Sequence, residues 1–599
     1  MTALLQAQVE ARQEVSADAT RDRIRQTQMA ATDLPGRIAL AQAQASTEAR
    51  AQLLQQALAA HAHDAELVLQ TAQTLAEAGQ GERGLQLLQS LVGEDSQDAR
   101  AWFLLGRIAI QQGQARRAVD DYLLRALVLW TRAGDTAAEA EARNALGVGY
   151  ERLGQLDAAA EQYTRAATMR AGLGDARGQA TSLRNLAIVQ AIRGERAAAE
   201  ATLERARGVL EALGDRASIA DLHNDRGVVA EERGDFRAAL AAFREALALR
   251  QQLDQPTLLA QSLNNVAFCY FQLGEIDNAA VYWQQALASY RQIDDREGAL
   301  QVIQSMGLLE LSRGHYADAG RRLDGSLREA QDLQLPEEID VAEVYRGELA
   351  LAEGRGADAL AAARAAAAGF ERRGDRRGLA EARLLLARTS VFLGDAAGAQ
   401  QTLQGLTEAE LSPEQRALML LTRARLALLT DAGAASATRD LAEAEQVAEA
   451  AHNAALLLDV RVERAQRALR SAPASADALL GELVAEASRR GQAPLRLAVI
   501  AVELDRARRG GNAAAALPRY REAQALLRQL GRWQGEARLQ ALGAALLRRA
   551  GQADEAAAAT AAAERARAQV LDAAPAELRD AFARRLQAPL DAGGTADGH

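Results

Sequence analysis

The sequence predicts an all-α protein, an α-solenoid in which antiparallel helix pairs stack into a right-handed superhelix. Of its 599 residues, 49% are hydrophobic but only 4% are aromatic, and much of the apolar content is alanine, which favours closely packed helices. Sustained alternation of Val, Ile or Thr with polar residues, which would indicate strands, is missing from the sequence. The third observation is a period of 40 residues, which is typical of stacked helical units.

Small residues mark this period. Glycine or alanine always stands seven positions before each marker glycine, where it lets two helices approach closely, and alanine always stands five positions after it. The marker itself ends a helix in the left-handed conformation that glycine adopts cheaply. A connector such as Gly174-Asp175 ends the second helix and offers aspartate as a cap for the next one. The marker glycines are residues 154, 194, 234, 274, 314, 354 and 394.

A family resemblance follows from these motifs. Trp102-Phe-Leu-Leu105-Gly106, with Ala118 and Tyr122 after it, matches the W-x-x-L-G and A-x-x-x-F elements of the tetratricopeptide repeat, and Ala72 precedes Gly106 by the standard 34 residues. The longer units resemble the repeats of kinesin light chain, the spindle adaptor Pins and bacterial Rap-type and MalT-type regulators. The resemblance covers about residues 67 to 405. It implies a concave surface lined by positions 2, 5, 9, 12 and 13 of the first helix of each unit.

The period also suggests how the chain is organised. We expect an N-terminal helical segment, two units of the 34-residue type, seven units of 40 residues, divergent helical hairpins, and a terminal helix with a flexible tail from about residue 592. In order, these segments span residues 1–60, 61–132, 133–405, 406–575 and 576–599.

Polar side chains recur at the positions that the resemblance assigns to the concave surface. Position five is always a side chain that donates hydrogen bonds, and asparagine twice follows it at position six, with Phe268 at position nine of the unit that begins at residue 260. Carboxamides both donate and accept, which suits the backbone of an extended peptide. The alternative is that they bridge adjacent helices or face water. The predicted peptide-binding residues are Asn144, Arg184, Asn185, Asn224, Asn264, Asn265, Phe268 and Gln304.

Composition excludes several classes of function. All 70 basic residues are arginine, and 80 acidic residues give a net charge of −10, so a nucleic-acid-binding surface is not expected. Without lysine, neither a phosphate-binding loop ending in Gly-Lys nor a Schiff base can form. Cys269, the only cysteine, falls on the packed face of a helix and is expected to be a structural thiol rather than a nucleophile. We find no catalytic motif, metal site or cofactor site.

Two hypotheses of function remain. The first is a non-enzymatic scaffold that binds an extended peptide or a helix of a partner protein in the concave groove. The alternative is a ligand- or peptide-sensing regulatory module of a larger bacterial signalling protein such as a kinase or a transcription regulator. The sequence has no apolar run long enough for a signal peptide core or a membrane span, so a cytoplasmic protein without membrane contact is expected.

Overall fold

The structure, a computed structural model, confirms the all-α fold class. It describes residues 46–587 apart from 63, 94, 254, 409–410, 430–432 and 511, together with a few positions between 38 and 44. All regular structure in these residues is helical, and consecutive helices pack as pairs joined by short loops. The predicted tail from residue 592 and most of the segment 1–60 lie outside the described residues.

The chain divides into two compact units, and the boundary between Leu222 and His223 falls inside a helix. The helices of the first unit, up to this boundary helix, are α1 Thr47–Ala60, α2 Ala65–Glu77, α3 Gly81–Leu91, α4 Ala99–Gln111, α5 Ala115–Arg117, the π-helical stretch Ala118–Leu123, α6 Leu124–Ala133, α7 Thr136–Arg152, α8 Leu156–Gly172, α9 Ala176–Ile192, α10 Arg196–Leu213 and the boundary helix α11 Arg216–Glu232.

Helix pairs continue through the second unit to residue 572, followed by a short terminal helix. Its helices are α12 Phe236–Arg250, α13 Pro256–Gln272, α14 Ile276–Gln292, α15 Arg296–Arg313, α16 Tyr316–Asp332, α17 Pro336–Ala352, α18 Gly356–Arg373, α19 Arg376–Leu393, α20 Ala396–Gln404, α21 Pro413–Ala427, α22 Ala434–Ala450, α23 Ala454–Ser471, α24 Pro473–Arg490, α25 Ala493–Gly510, α26 Ala513–Leu530, α27 Glu536–Arg549, α28 Ala553–Asp572, the 3-10 helix Ala576–Leu578 and α29 Arg579–Gln587.

The small residue at position eight of the first helix makes room for a large side chain of the second. A Cβ atom on Gly147 would lie 2.5 Å from the ring of Tyr163, and one on Gly227 would lie 2.4 Å from the ring of Phe243. Both rings are fully buried. The helices of a pair therefore interlock through one small and one large residue, which explains why glycine or alanine always occupies this position.

The connectors cap the next helix as expected. The side chain of Asp175 accepts a hydrogen bond from the backbone N–H of Gly178 at 2.9 Å, and Asp375 accepts one from Gly378 at 3.0 Å. The preceding glycines have φ values of +72°. At the equivalent places in two other connectors, Asp294 and Gln334 adopt the same left-handed conformation, so the backbone shape persists where the Gly-Asp motif does not.

Within the second unit, early and late parts of the chain contact each other. The loops that hold its five marker glycines pack against helices far ahead in the chain, and we call this set of contacts the return contact. Two backbone hydrogen bonds belong to it, since Gln534 donates to Ala352 at 2.9 Å and Ala357 donates to Ala573 at 2.8 Å. The close approaches are Gly234 to Pro413 and Ala451, Gly274 to Arg490, Gly314 to Ala493, Pro494 and Leu530, Gly354 to Gln534 and Val570, and Gly394 to Arg585.

A shared apolar core accompanies the return contact. Tyr316 and Leu349 from the earlier helices are buried together with Leu497 and Leu530 from the later ones, and Phe582 of α29 is buried against Phe392 with ring centroids 5.1 Å apart. Burial of apolar surface therefore stabilises the contact. Among the helices that the structure describes, each is too short or too polar to cross a bilayer.

Candidate functional site

The first unit has an open hollow of about 410 Å³ between α4 and α7, which we call the groove pocket. Counting from Ala99 and Ala140, its lining includes positions five, nine and thirteen of both helices, which are positions that the family resemblance assigns to the concave surface. The lining residues are Phe103, Arg107, Ile110 and Gln111 of α4, Glu141, Asn144, Ala145, Val148 and Arg152 of α7, and Arg170 of α8.

The groove pocket combines an apolar floor with two exposed guanidinium groups. Phe103, Ile110 and Val148 supply the apolar surface. The Arg107 guanidinium lies 5.8 Å from the centre of the Phe103 ring, and neither Arg107 nor Arg152 forms an ion pair with a residue that the structure describes. Because an arginine presents a fork of five N–H donors, these two side chains can take up an anionic group.

A hydrogen-bond chain fixes the orientation of Asn144 in this pocket. Arg170 Nη1 donates to Ser182 Oγ at 2.9 Å, and Ser182 Oγ donates to Asn144 Oδ1 at 3.0 Å. Asn185 Nδ2 also approaches Asn144 Oδ1, at 3.5 Å. Burial lowers the pKa of Arg170. The carboxamide oxygen of Asn144 is therefore occupied, whereas its Nδ2 donor has no partner among the described residues.

Two of these contacts recur two repeats later, within the second unit. Arg250 Nη1 donates to Ser262 Oγ at 2.7 Å, and Asn265 Nδ2 donates to Asn224 Oδ1 at 3.1 Å. Sequence reasoning missed the arginine and serine of both networks. Their signal is present in the sequence, since Arg170 and Arg250, like Ser182 and Ser262, are separated by two 40-residue periods.

The remaining predicted site residues contact neighbouring helices. Asn264 Oδ1 accepts from Trp283 Nε1 at 2.9 Å, and the buried Gln304 donates to the backbone oxygen of Glu338 at 2.9 Å. Phe268 packs beside Phe236 with ring centroids 6.1 Å apart. Arg184 lies 3.6 Å from Asp221. Each of these side chains contacts a neighbouring helix, and Asn144 is the predicted site residue that joins the lining of the groove pocket.

The environment of Cys269 is that of a structural thiol. Its side chain is fully buried, and burial, aided by the nearby charge of Glu231, raises the pKa of the thiol. A thiol that stays protonated is a poor nucleophile. Cys269 therefore contributes packing rather than chemistry, as the sequence predicted.

Interlocked helix pairs and left-handed marker glycines at a regular spacing define a helical-repeat protein. Residues 175–252 match the family model of the tetratricopeptide repeat, so this part of the chain carries repeats of that type. A comparison with curated protein sequences gives no match.

Several solved structures are similar in part. BtubC (BKLC) from P. vanneervenii is 22% identical, and the similarity covers 38% of this chain and 92% of that one with a TM-score of 0.30. A Rap protein complexed with competence and sporulation factor is 14% identical, with 66% and 99% covered and a TM-score of 0.39. The apo form of RapI is also 14% identical, with 42% and 93% covered and a TM-score of 0.34.

Proposed function

We propose that this protein is a non-enzymatic interaction scaffold whose groove pocket binds an extended segment of a partner protein. The observation that carries the proposal is the composition of the pocket, in which an oriented carboxamide donor and two guanidinium groups surround an apolar floor. The partner segment would place a backbone carbonyl against Nδ2 of Asn144, an apolar side chain over Phe103 and Val148, and a carboxylate beside Arg107 or Arg152.

The energetics favour a carboxylate in this position. Arg107 and Arg152 lie at the surface and form no ion pair with a described residue, although the charge of Arg152 acts on the neighbouring Glu151, so binding would not break an existing ion pair. Hydrogen bonds to charged groups contribute about 1.5 to 3 kcal/mol, compared with about 0.5 to 1.5 kcal/mol for a neutral pair. An acidic residue next to an apolar one is thus the expected feature of the bound segment.

Selection from a displayed library of random peptides would test the proposal. We expect the full chain to enrich sequences in which Asp or Glu neighbours an apolar residue. The selected peptides should bind Arg107→Gln and Arg152→Gln about tenfold more weakly or worse, because each change removes a charge-assisted hydrogen bond. Asn144→Asp should weaken binding as well, since it keeps the acceptor for Ser182 but removes the Nδ2 donor.

Arg132→Gln is the matched control. Arg132 is an exposed arginine of the same unit, on α6, and it is absent from the lining of the groove pocket. Its replacement changes the net charge equally and should leave affinity unchanged. Equal affinity of the selected peptides for the wild-type chain and for an Arg107→Gln, Arg152→Gln double variant would contradict the proposal.

A second candidate function is a ligand-sensing regulatory module, and the return contact favours it. A repeat array whose later helices rest on its earlier loops can be held in one conformation or released from it, which a simple open array cannot. Small-angle scattering with and without a selected peptide would distinguish the candidates. Unchanged dimensions at saturation would count against the sensory module and leave the scaffold in place.

A further inference from the structure

The return contact begins at a charged cluster between the end of α11 and the starts of α19 and α21. Arg377 Nη1 lies 2.9 Å from Glu232 Oε1, although the two residues are 145 positions apart in the chain. The backbone oxygen of Arg377 accepts a hydrogen bond from Gln415 Nε2 at 3.2 Å. Beside it, Asn453 Nδ2 donates to Gln272 Oε1 at 3.3 Å. The end of α11 and the starts of α19 and α21 therefore meet at Arg377.

The cluster holds more carboxylates than cations. Glu231 and Glu232 come from α11, Glu381 from α19 and Glu414 from α21, and the charges of all four act on the guanidinium of Arg377. Glu381 forms no direct ion pair with a described residue, and Arg377 is the cation whose charge acts on it. When every carboxylate is ionised, like charges oppose one another across the contact.

Other titratable groups approach the cluster from neighbouring elements. Glu348 of α17 lies within electrostatic range of Glu381 and is paired with Arg388. The charge of Asp375, at the start of α19, also acts on Glu381. The charge of Glu381 in turn acts on Tyr345 of α17. The charge of Glu231 also acts on the thiol of Cys269 in α13. His452, which precedes Asn453, is exposed and has a left-handed backbone with φ of +52°.

We propose that this cluster is a pH-sensitive latch on the return contact: α11 is held tightly against α19 and α21 while some of the carboxylates are protonated, and is held less tightly when all of them are ionised. The latch regulates the second unit and does not depend on peptide binding in the groove pocket of the first unit.

The direction of the pH effect follows from proton linkage. Burial of its surroundings, reinforced by the charge of Glu348, raises the pKa of Glu381, although its own side chain is exposed. Burial also raises the pKa of Glu414 to about 7. A released glutamate returns to about 4.5, so closure takes up protons. The contact is then firmest below about pH 4.5, weakens as the pH rises from there through 7, and changes little above pH 8.

Distance measurements between spin labels test the latch in the full chain. Cysteines replace the exposed Arg244 on α12 and Ala450 on α22, in a Cys269→Ala background. We expect a narrow distance distribution at pH 5.8 and a broader one with a longer mean at pH 8.0. Identical distributions at the two pH values would overturn the proposal, and this comparison needs no further variant.

Charge-neutral variants assign the effect to the cluster. Glu381→Gln together with Glu414→Gln should keep the narrow distribution at both pH values, because neither side chain can ionise. The matched control is Glu564→Gln, which removes an exposed carboxylate of α28 and should preserve the pH response. His452→Asn should preserve it too, and loss of the response in that variant would assign the switch to the histidine and overturn the proposal.

Discussion

At the scale of the residue, one asparagine of the repeats, Asn264, accepts a hydrogen bond from a large buried side chain. Trp283 is almost completely buried, and its indole N–H donates to Asn264 Oδ1 at 2.9 Å. We predict that Asn264→Ala leaves this donor without an acceptor and lowers the free energy of unfolding by about 1 to 3 kcal/mol. Urea denaturation followed by circular dichroism measures the change.

The control for this prediction is Trp283→Phe. In that background the donor is already gone, so Asn264→Ala should cost much less than in the wild-type chain. An equal cost in both backgrounds would show that the hydrogen bond to Trp283 is not the reason for the loss.

The residue scale is also where sequence reasoning was least complete. The period placed Asn144 and Asn264 at position five, but it could not show that one has an unoccupied donor and the other accepts from a tryptophan. Those roles depend on partners in adjacent helices, such as Ser182 and Trp283, whose identities change between repeats. A repeat motif describes what units share, whereas the side chains that distinguish Asn144 from Asn264 are those that units do not share.

At the scale of the element, the helix pair was predicted well because its geometry is local. Position eight is small in every unit, and the structure gives the reason at Gly227, where a side chain would meet the ring of Phe243. We predict that Gly227→Val overpacks this pair and lowers the free energy of unfolding by about 1 to 3 kcal/mol or more. Thermal melting followed by circular dichroism would detect the loss.

Gly325→Ala is the matched control for the helix pair. Gly325 also lies inside a helix of the second unit, α16, but a Cβ atom there would meet nothing within 4 Å. Alanine at this position should raise the free energy of unfolding by about 0.5 to 1 kcal/mol, because it is the better helix former. If both variants melted like the wild-type chain, position eight would not be the interlocking position.

At the scale of the whole molecule, each unit has its own compact core, and the return contact of the second unit was not predicted. The 40-residue period fixes how a pair meets the next pair, but contact with helices much further along the chain depends on curvature accumulated over several pairs. The later part of the chain has a spacing that fits the return contact. Successive marker glycines approach residues that lie about 40 positions apart, namely Ala451, Arg490, Leu530 and Val570. The sequence alone does not show that these residues contact the marker glycines.

Substitutions at two glycines of the second unit can distinguish the energetic effect of the return contact from that of backbone strain. Gly354 and Gly374 have nearly equal φ values of +75° and +72°, but a Cβ atom on Gly354 would lie 2.8 Å from Val570, whereas one on Gly374 would meet nothing within 4 Å. Alanine should cost about 1 kcal/mol at Gly374 through the left-handed backbone alone, and clearly more at Gly354, where the later helix must also move. Urea denaturation of both variants measures the difference. Equal destabilisation would mean that α28 does not rest on this loop in solution.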